Sequence, residues 1–160
     1  QGLQMTRVLK TLSVLILVGS QTGNTELRAM TLARRLKDLG AAVTVLNMDE
    51  VLNLETAPSD FELFDKIIAS TALEDTTYVE DARRVFGILA DAANTSTVVF
   101  LLTSTFGSGA PPQSASAFLP TVEFLSRLMV NQSNIAVNAL RYAVCGFGCS
   151  SFPHFNRSGR

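Results

Sequence analysis

The chain has 160 residues, 47% hydrophobic and 17% charged, which suits one packed domain and is too apolar for a disordered segment. A formal net charge of −1 gives no electrostatic case for nucleic acid as the main partner, and no apolar run approaches the ~20 residues of a membrane span. Two cysteines, Cys145 and Cys149, and one histidine, His154, make neither a disulfide framework nor a zinc pattern, so no metal site is expected and free thiols point to a reducing, cytoplasmic setting.

The run from Ser13 to Val18 is almost unbroken in its apolar character and closes on Gly19-Ser20-Gln21-Thr22-Gly23-Asn24-Thr25. A run of that length ending in turn residues predicts a strand buried on both faces of a parallel sheet. The period then changes. Ala29, Leu32, Ala33 and Leu36 recur at helical spacing, with Arg28, Arg34, Arg35, Lys37 and Asp38 on the other side and Gly40 closing the helix. Ala42 to Leu46 reads as a second strand, completing a right-handed crossover unit. The stretch from Met48 to Thr97 is too long for one ordinary connection. It holds a helix-like segment from Val79 to Ala93, weakened at Gly87, and a segment from Phe64 to Ala69 that suits either a strand or a helix. A third buried strand is expected at Val98 to Leu102. Phe118, Val122, Leu125 and Met129 mark another helix, which must start close to Pro120, and Leu140 to Cys145 reads as a fourth strand. This alternation predicts an α/β fold with a doubly wound parallel sheet, as a single domain over residues 1–160 with an enlarged connection at 48–97.

Loops at the carboxyl ends of parallel strands share a crevice, and ligands bind there. The first loop, Ser20, Gln21, Thr22, Gly23, Asn24 and Thr25, offers backbone N–H groups at a helix start together with hydroxyls, which suits an anion. It carries no lysine and departs from the P-loop pattern, so a phosphate monoester is expected rather than a magnesium nucleotide. The competing reading is a helix start capped by a hydroxyl. The second loop sets Phe106 between Thr105 and Gly107, where an aromatic projects from the sheet edge unless it folds back into the core. The third, Gly146-Phe147-Gly148-Cys149-Ser150-Ser151-Phe152-Pro153-His154-Phe155-Asn156, lacks the last glycine of a dinucleotide fingerprint, with Ser151 in its place. Glu74, Asp75 and Asp81 read as solvated acids, which removes the case for a nucleotide hydrolase.

At these loops the sequence resembles a known family. Ser20-Gln21-Thr22-Gly23-Asn24-Thr25-Glu26 is similar to the phosphate loop of flavodoxins. Ser104-Thr105-Phe106-Gly107-Ser108-Gly109-Ala110-Pro111-Pro112 and Leu140-Arg141-Tyr142-Ala143-Val144-Cys145-Gly146-Phe147-Gly148, with Phe152 to Asn156, resemble the second and third loops of FMN domains in diflavin reductases. That group includes the cytochrome P450, sulfite and nitric oxide synthase reductases. The resemblance implies a three-layer flavodoxin-like fold that continues past Arg160 with a further helix, strand and helix. It also implies an FMN whose phosphate lies on Ser20 to Thr25 and whose ring lies between Phe106 and Phe152. Ser104, Thr105, Gly107, Phe147, Gly148, Cys149, His154, Phe155 and Asn156 would complete the site, with the Gly107 backbone near the flavin N5 and free to reorient. Two aromatic faces in a dry slot disfavour a reduced anionic ring, which separates the two one-electron steps. No residue of the chain would act as acid, base or nucleophile.

The expected role is therefore relay of electrons from an FAD and NADPH module, lying in domains outside this segment, to a haem or other acceptor protein. Two alternatives remain: a free-standing flavodoxin, and a flavodoxin-fold interaction or regulatory module without cofactor. Two departures from the family bear on this choice. Phenylalanine stands where tyrosine is frequent, and Ala110 where an acid is usual.

Overall fold

The computed structural model describes residues 12–54, 61–71, 73, 76–130, 136–149, 151 and 157. In chain order these form β1 (Ser13–Gly19), α1 (Asn24–Asp38), β2 (Ala42–Asn47), α2 (Met48–Leu52), α3 (Phe61–Ser70), α4 (Val79–Asn94), β3 (Val98–Ser104), α5 (Phe118–Met129) and β4 (Arg141–Phe147). Single 3₁₀ turns occupy Gln113–Ala115 and Ala136–Ala139.

All strand pairings are parallel and the order is β2-β1-β3-β4. Val14 of β1 pairs with Val43 on one side and Val98 on the other, and β3 pairs in turn with β4 from Val98↔Arg141 to Ser104↔Phe147. β1 is thus central, and its side chains divide by the two-residue period of a strand. Val14, Ile16 and Val18 join Ala29, Ala33 and Leu102 under α1. Leu15 and Leu17 face the opposite way, into a larger cluster with Met48, Val51, Phe64, Phe86, Val99 and Phe118. A strand that feeds both cores must be apolar throughout, which is why β1 shows no alternation. The result is three layers: α1, the sheet, and the group α2 to α5.

Among the described residues the long connection holds helices and no extra strand. The segment around Phe64 is helical because Phe64 and Ile67 are both buried one turn apart, and the Phe64 ring lies 5.5 Å from that of Phe86 in α4. Gly87 is buried inside α4 and does not interrupt it. Pro120 is the third residue of α5, where its missing N–H has no intrahelical acceptor to lose. The fourth strand is shifted toward the carboxyl end of its expected range, to Arg141–Phe147. Asp81 is not simply solvated: it is paired with Arg84 at 3.2 Å, both side chains being two-thirds buried, whereas Glu74 and Asp75 lie outside the described residues. No helix among the described residues is long and apolar enough to cross a membrane.

The end of α1 shows how local sequence sets direction. Gly40 takes φ 93°, its N–H donates to the Lys37 carbonyl, and the Ala41 N–H donates to the Leu36 carbonyl. This paired closure satisfies orphan carbonyls and turns the chain straight into β2.

Candidate functional site

β1 leads by way of α1 to β2 on one side, and the chain then crosses to β3 on the other. The strand order therefore reverses between β1 and β3, and a crevice must open beyond their carboxyl ends. A cleft of about 490 Å³ lies there, within the ordinary range for small-molecule sites. One wall is the first loop and the start of α1: Gln21, Thr22, Asn24, Thr25, Leu27 and Arg28. The other consists of Ser104, Thr105 and Phe106 after β3, with Phe147, Gly148 and Cys149 at the end of β4.

Gly23 is the residue that caps α1, in a left-handed conformation at φ 81°, and no side chain caps the helix. The hydroxyl-capped start is thereby excluded. Leu27 N–H makes the first bond back to the Gly23 carbonyl, which leaves the N–H groups of Asn24, Thr25 and Glu26 without intrahelical acceptors. The neighbouring hydroxyls are engaged in shaping the loop. Ser20 Oγ accepts from Gly23 N–H at 3.0 Å, and Thr22 Oγ1 accepts from Asn24 Nδ2 at 3.2 Å. An uncapped helix start facing a cleft is a site for an anion.

The second loop is a tight hairpin. Phe106 and Ala110 form an isolated antiparallel bridge, with Phe106 N–H donating to the Ala110 carbonyl at 2.8 Å and Ala110 N–H returning to Phe106 at 3.0 Å. The reversal requires positive φ at Gly107 (52°) and Gly109 (103°). Phe106 does not fold back into the core. It is 52% exposed on the wall of the cleft, an unusual position for a large apolar ring.

The walls are bolted together. Ser114 Oγ accepts from the Ser20 N–H at 2.9 Å and donates to the Ser20 carbonyl at 3.1 Å, while Gln113 N–H donates to Gln21 Oε1 at 2.8 Å. Thr105 N–H donates to the Phe147 carbonyl at 2.8 Å, tying the second loop to the end of β4. Sequence reasoning missed Gln113 and Ser114, because nothing local marks a side chain whose partner lies more than ninety positions away. It also passed over Leu27 and Arg28, although their helical spacing from Asn24 places them on one flank. Arg28 is the one charged side chain of the described lining. Hydrogen bonds from the Ser151 hydroxyl and backbone hold the Cys149 thiol below its ordinary range.

Of the residues singled out by sequence, Gln21, Thr22, Asn24, Thr25, Ser104, Thr105, Phe106, Phe147, Gly148 and Cys149 share this cleft. Ser20, Gly23 and Gly107 lie beside it and set the loop shapes. Phe152, His154, Phe155 and Asn156 fall outside the described residues. A second hollow, of about 440 Å³, is lined by Tyr78, Pro120, Phe124 and their neighbours on the α4–α5 side and includes none of the strand-end loops.

A doubly wound sheet with a crevice at its reversal point defines a class, the open α/β domains, which bind ligands beyond the carboxyl ends of their strands. Within that class, residues 75–160 match the family model described as Flavodoxin. The chain belongs to the flavodoxin family and is a flavin-binding electron-transfer domain. No curated protein matches it. The residues present fit a flavin, with an uncapped helix start for an anionic group and a bare benzyl face for a flat ring.

Proposed function

We propose that the domain binds FMN and works as the FMN module of an NADPH-dependent diflavin reductase, taking electrons from an FAD and NADPH module and passing them to an acceptor protein in the cytoplasm. Bound flavin supplies the redox chemistry, accepting and releasing electrons one or two at a time. The chain supplies position. The N–H groups of Asn24, Thr25 and Glu26 hold the phosphate, and the Phe106 ring covers one face of the heterocycle. The Ser114 and Gln113 clamps keep the two walls at a fixed separation, so binding orders little that is not already ordered. Two supports favour the diflavin group: the glycine-flanked hairpin at Phe106, and the run from Arg141 to Gly148 with which it is hydrogen-bonded.

The observation that carries this reading is the joint presence, on one cleft, of an uncapped helix start and an outward-facing Phe106. Titrating FMN with the protein and following flavin fluorescence tests it. Stacking should quench the emission, and Phe106→Ala should weaken binding about 2- to 10-fold, as loss of one aromatic contact of ~0.5–1.5 kcal/mol requires. Full emission at saturating protein would overturn the assignment.

A further inference from the structure

Arg28 is the sole formal charge on the described lining of the cleft, and nothing in the phosphate-loop pattern calls for it. It is exposed and makes no ion pair among the described residues. Arg34, Arg35 and Lys37 of the same helix likewise make no ion pair among the described residues, whereas Lys66, Arg83, Arg84 and Arg127 are each paired with a carboxylate at 2.5–3.2 Å, so it is position on the cleft that sets Arg28 apart. Its place on α1 gives it direction. Residues four apart on a helix lie about 6 Å apart on one flank, and helical side chains lean toward the amino terminus. From this position the Arg28 side chain can extend over Asn24 toward the uncapped N–H groups, and both residues line the cleft. The acid of that first turn, Glu26, turns to the other flank, where it lines a separate groove with Lys37 and Glu50. Of the two charged residues in the first two turns of α1, the cation Arg28 lines the cleft and the acid Glu26 does not.

We infer that Arg28 is a specificity-determining residue that binds the phosphate dianion of the ligand from the side, adding a cation to a loop that otherwise offers neutral donors. The inference rests on the flavin reading for its ligand, but the chemistry it names is that of a phosphate monoester. A guanidinium presents paired N–H donors to two phosphate oxygens, which a lysine ammonium cannot do in the same way. Affinity for FMN should then be salt-dependent, while affinity for riboflavin, which has the same ring and no phosphate, should not be.

The test compares wild type, Arg28→Gln, Arg28→Lys and Lys37→Gln, using FMN, riboflavin and inorganic phosphate as probes. Binding is followed by flavin fluorescence, and by backbone amide shifts of residues 22–26 for phosphate. At low salt Arg28→Gln should raise the dissociation constant for FMN about 10-fold, in the range of a hydrogen bond to a charged group, and leave riboflavin within twofold. Arg28→Lys should recover part of the loss, and Lys37→Gln, on the other flank, should change nothing. Raising the salt should erase most of the gap between wild type and Arg28→Gln. Equal weakening of FMN and riboflavin, or no weakening, overturns the inference. If wild type binds neither flavin, yet phosphate shifts those amides only when Arg28 is present, the cation's role stands and the flavin reading falls.

Discussion

Gly19, at the end of β1, shows how tightly the base of the cleft is packed. A Cβ there would meet Ala115 Cβ at 2.8 Å, Thr103 Oγ1 at 3.0 Å and Met48 Sδ at 3.1 Å. Ala115 and Met48 are wholly buried and Thr103 nearly so, so none of the three can step aside into solvent. Gly19→Ala should destabilise the fold by about 1–3 kcal/mol, the usual cost of overpacking, as a lower urea midpoint at unchanged slope. Ala115→Gly in the same chain should return part of that loss, since the two positions touch. At this scale the sequence was legible where a residue's role is local. The loop residues around Phe106 and Gly23 could be picked out, but whether the ring projects or folds back, and whether a hydroxyl caps the helix, was decided only by the fold. Arg28 was hidden by its place just past the loop, where its helical phase, rather than its neighbours in sequence, decides what it faces.

Among the elements, the 3₁₀ turn Gln113–Ala115 is small but fixes the geometry of the site. Both bonds of the Ser114 hydroxyl go to Ser20, and they take the place of backbone pairing that the loop lacks. Ser114→Ala would strand a partly buried N–H and carbonyl on Ser20, at about 1–2 kcal/mol by the usual cost of unmet hydrogen bonds. Lower stability in urea, together with weaker FMN binding by a protein that still folds, is the expected outcome. Undiminished FMN affinity would show that the clamp serves the fold alone. The regular elements were readable because their periods are strong, as in the unbroken β1 and the three-four spacing of α1. The segment around Phe64 was not, since a short apolar run fits either period and only packing against Phe86 decides. The clamps were invisible for a related reason: they are made between positions that only the fold brings together.

For the whole molecule, layer order followed from alternation of strand and helix, and the site followed from the strand order. The layers cover the sheet unevenly. β1 is buried on both faces, whereas β4 is open along most of its length, with Tyr142 65% and Val144 50% exposed on the same face. Among the described residues β4 has a strand neighbour on one side only. An open edge strand that also exposes apolar side chains on one face templates further pairing. The chain should therefore associate in a concentration-dependent way, and Val144→Lys should reduce light scattering at equal concentration without changing the far-ultraviolet circular dichroism. Unchanged association would show that other surfaces drive it.

The hairpin at Phe106 has a mechanical consequence. Its base is fastened twice, to β4 through Thr105 and to the first loop through Gln113 and Ser114, while both glycines of its tip have left-handed backbones, Gly107 with open space where a side chain would stand. The tip is closed on its base by the Gly109 and Ala110 N–H groups, which both donate to the Phe106 carbonyl. The Phe106 ring is thus carried on a closed loop whose footing is set by both jaws of the cleft, so a change in either footing is passed on to the ring.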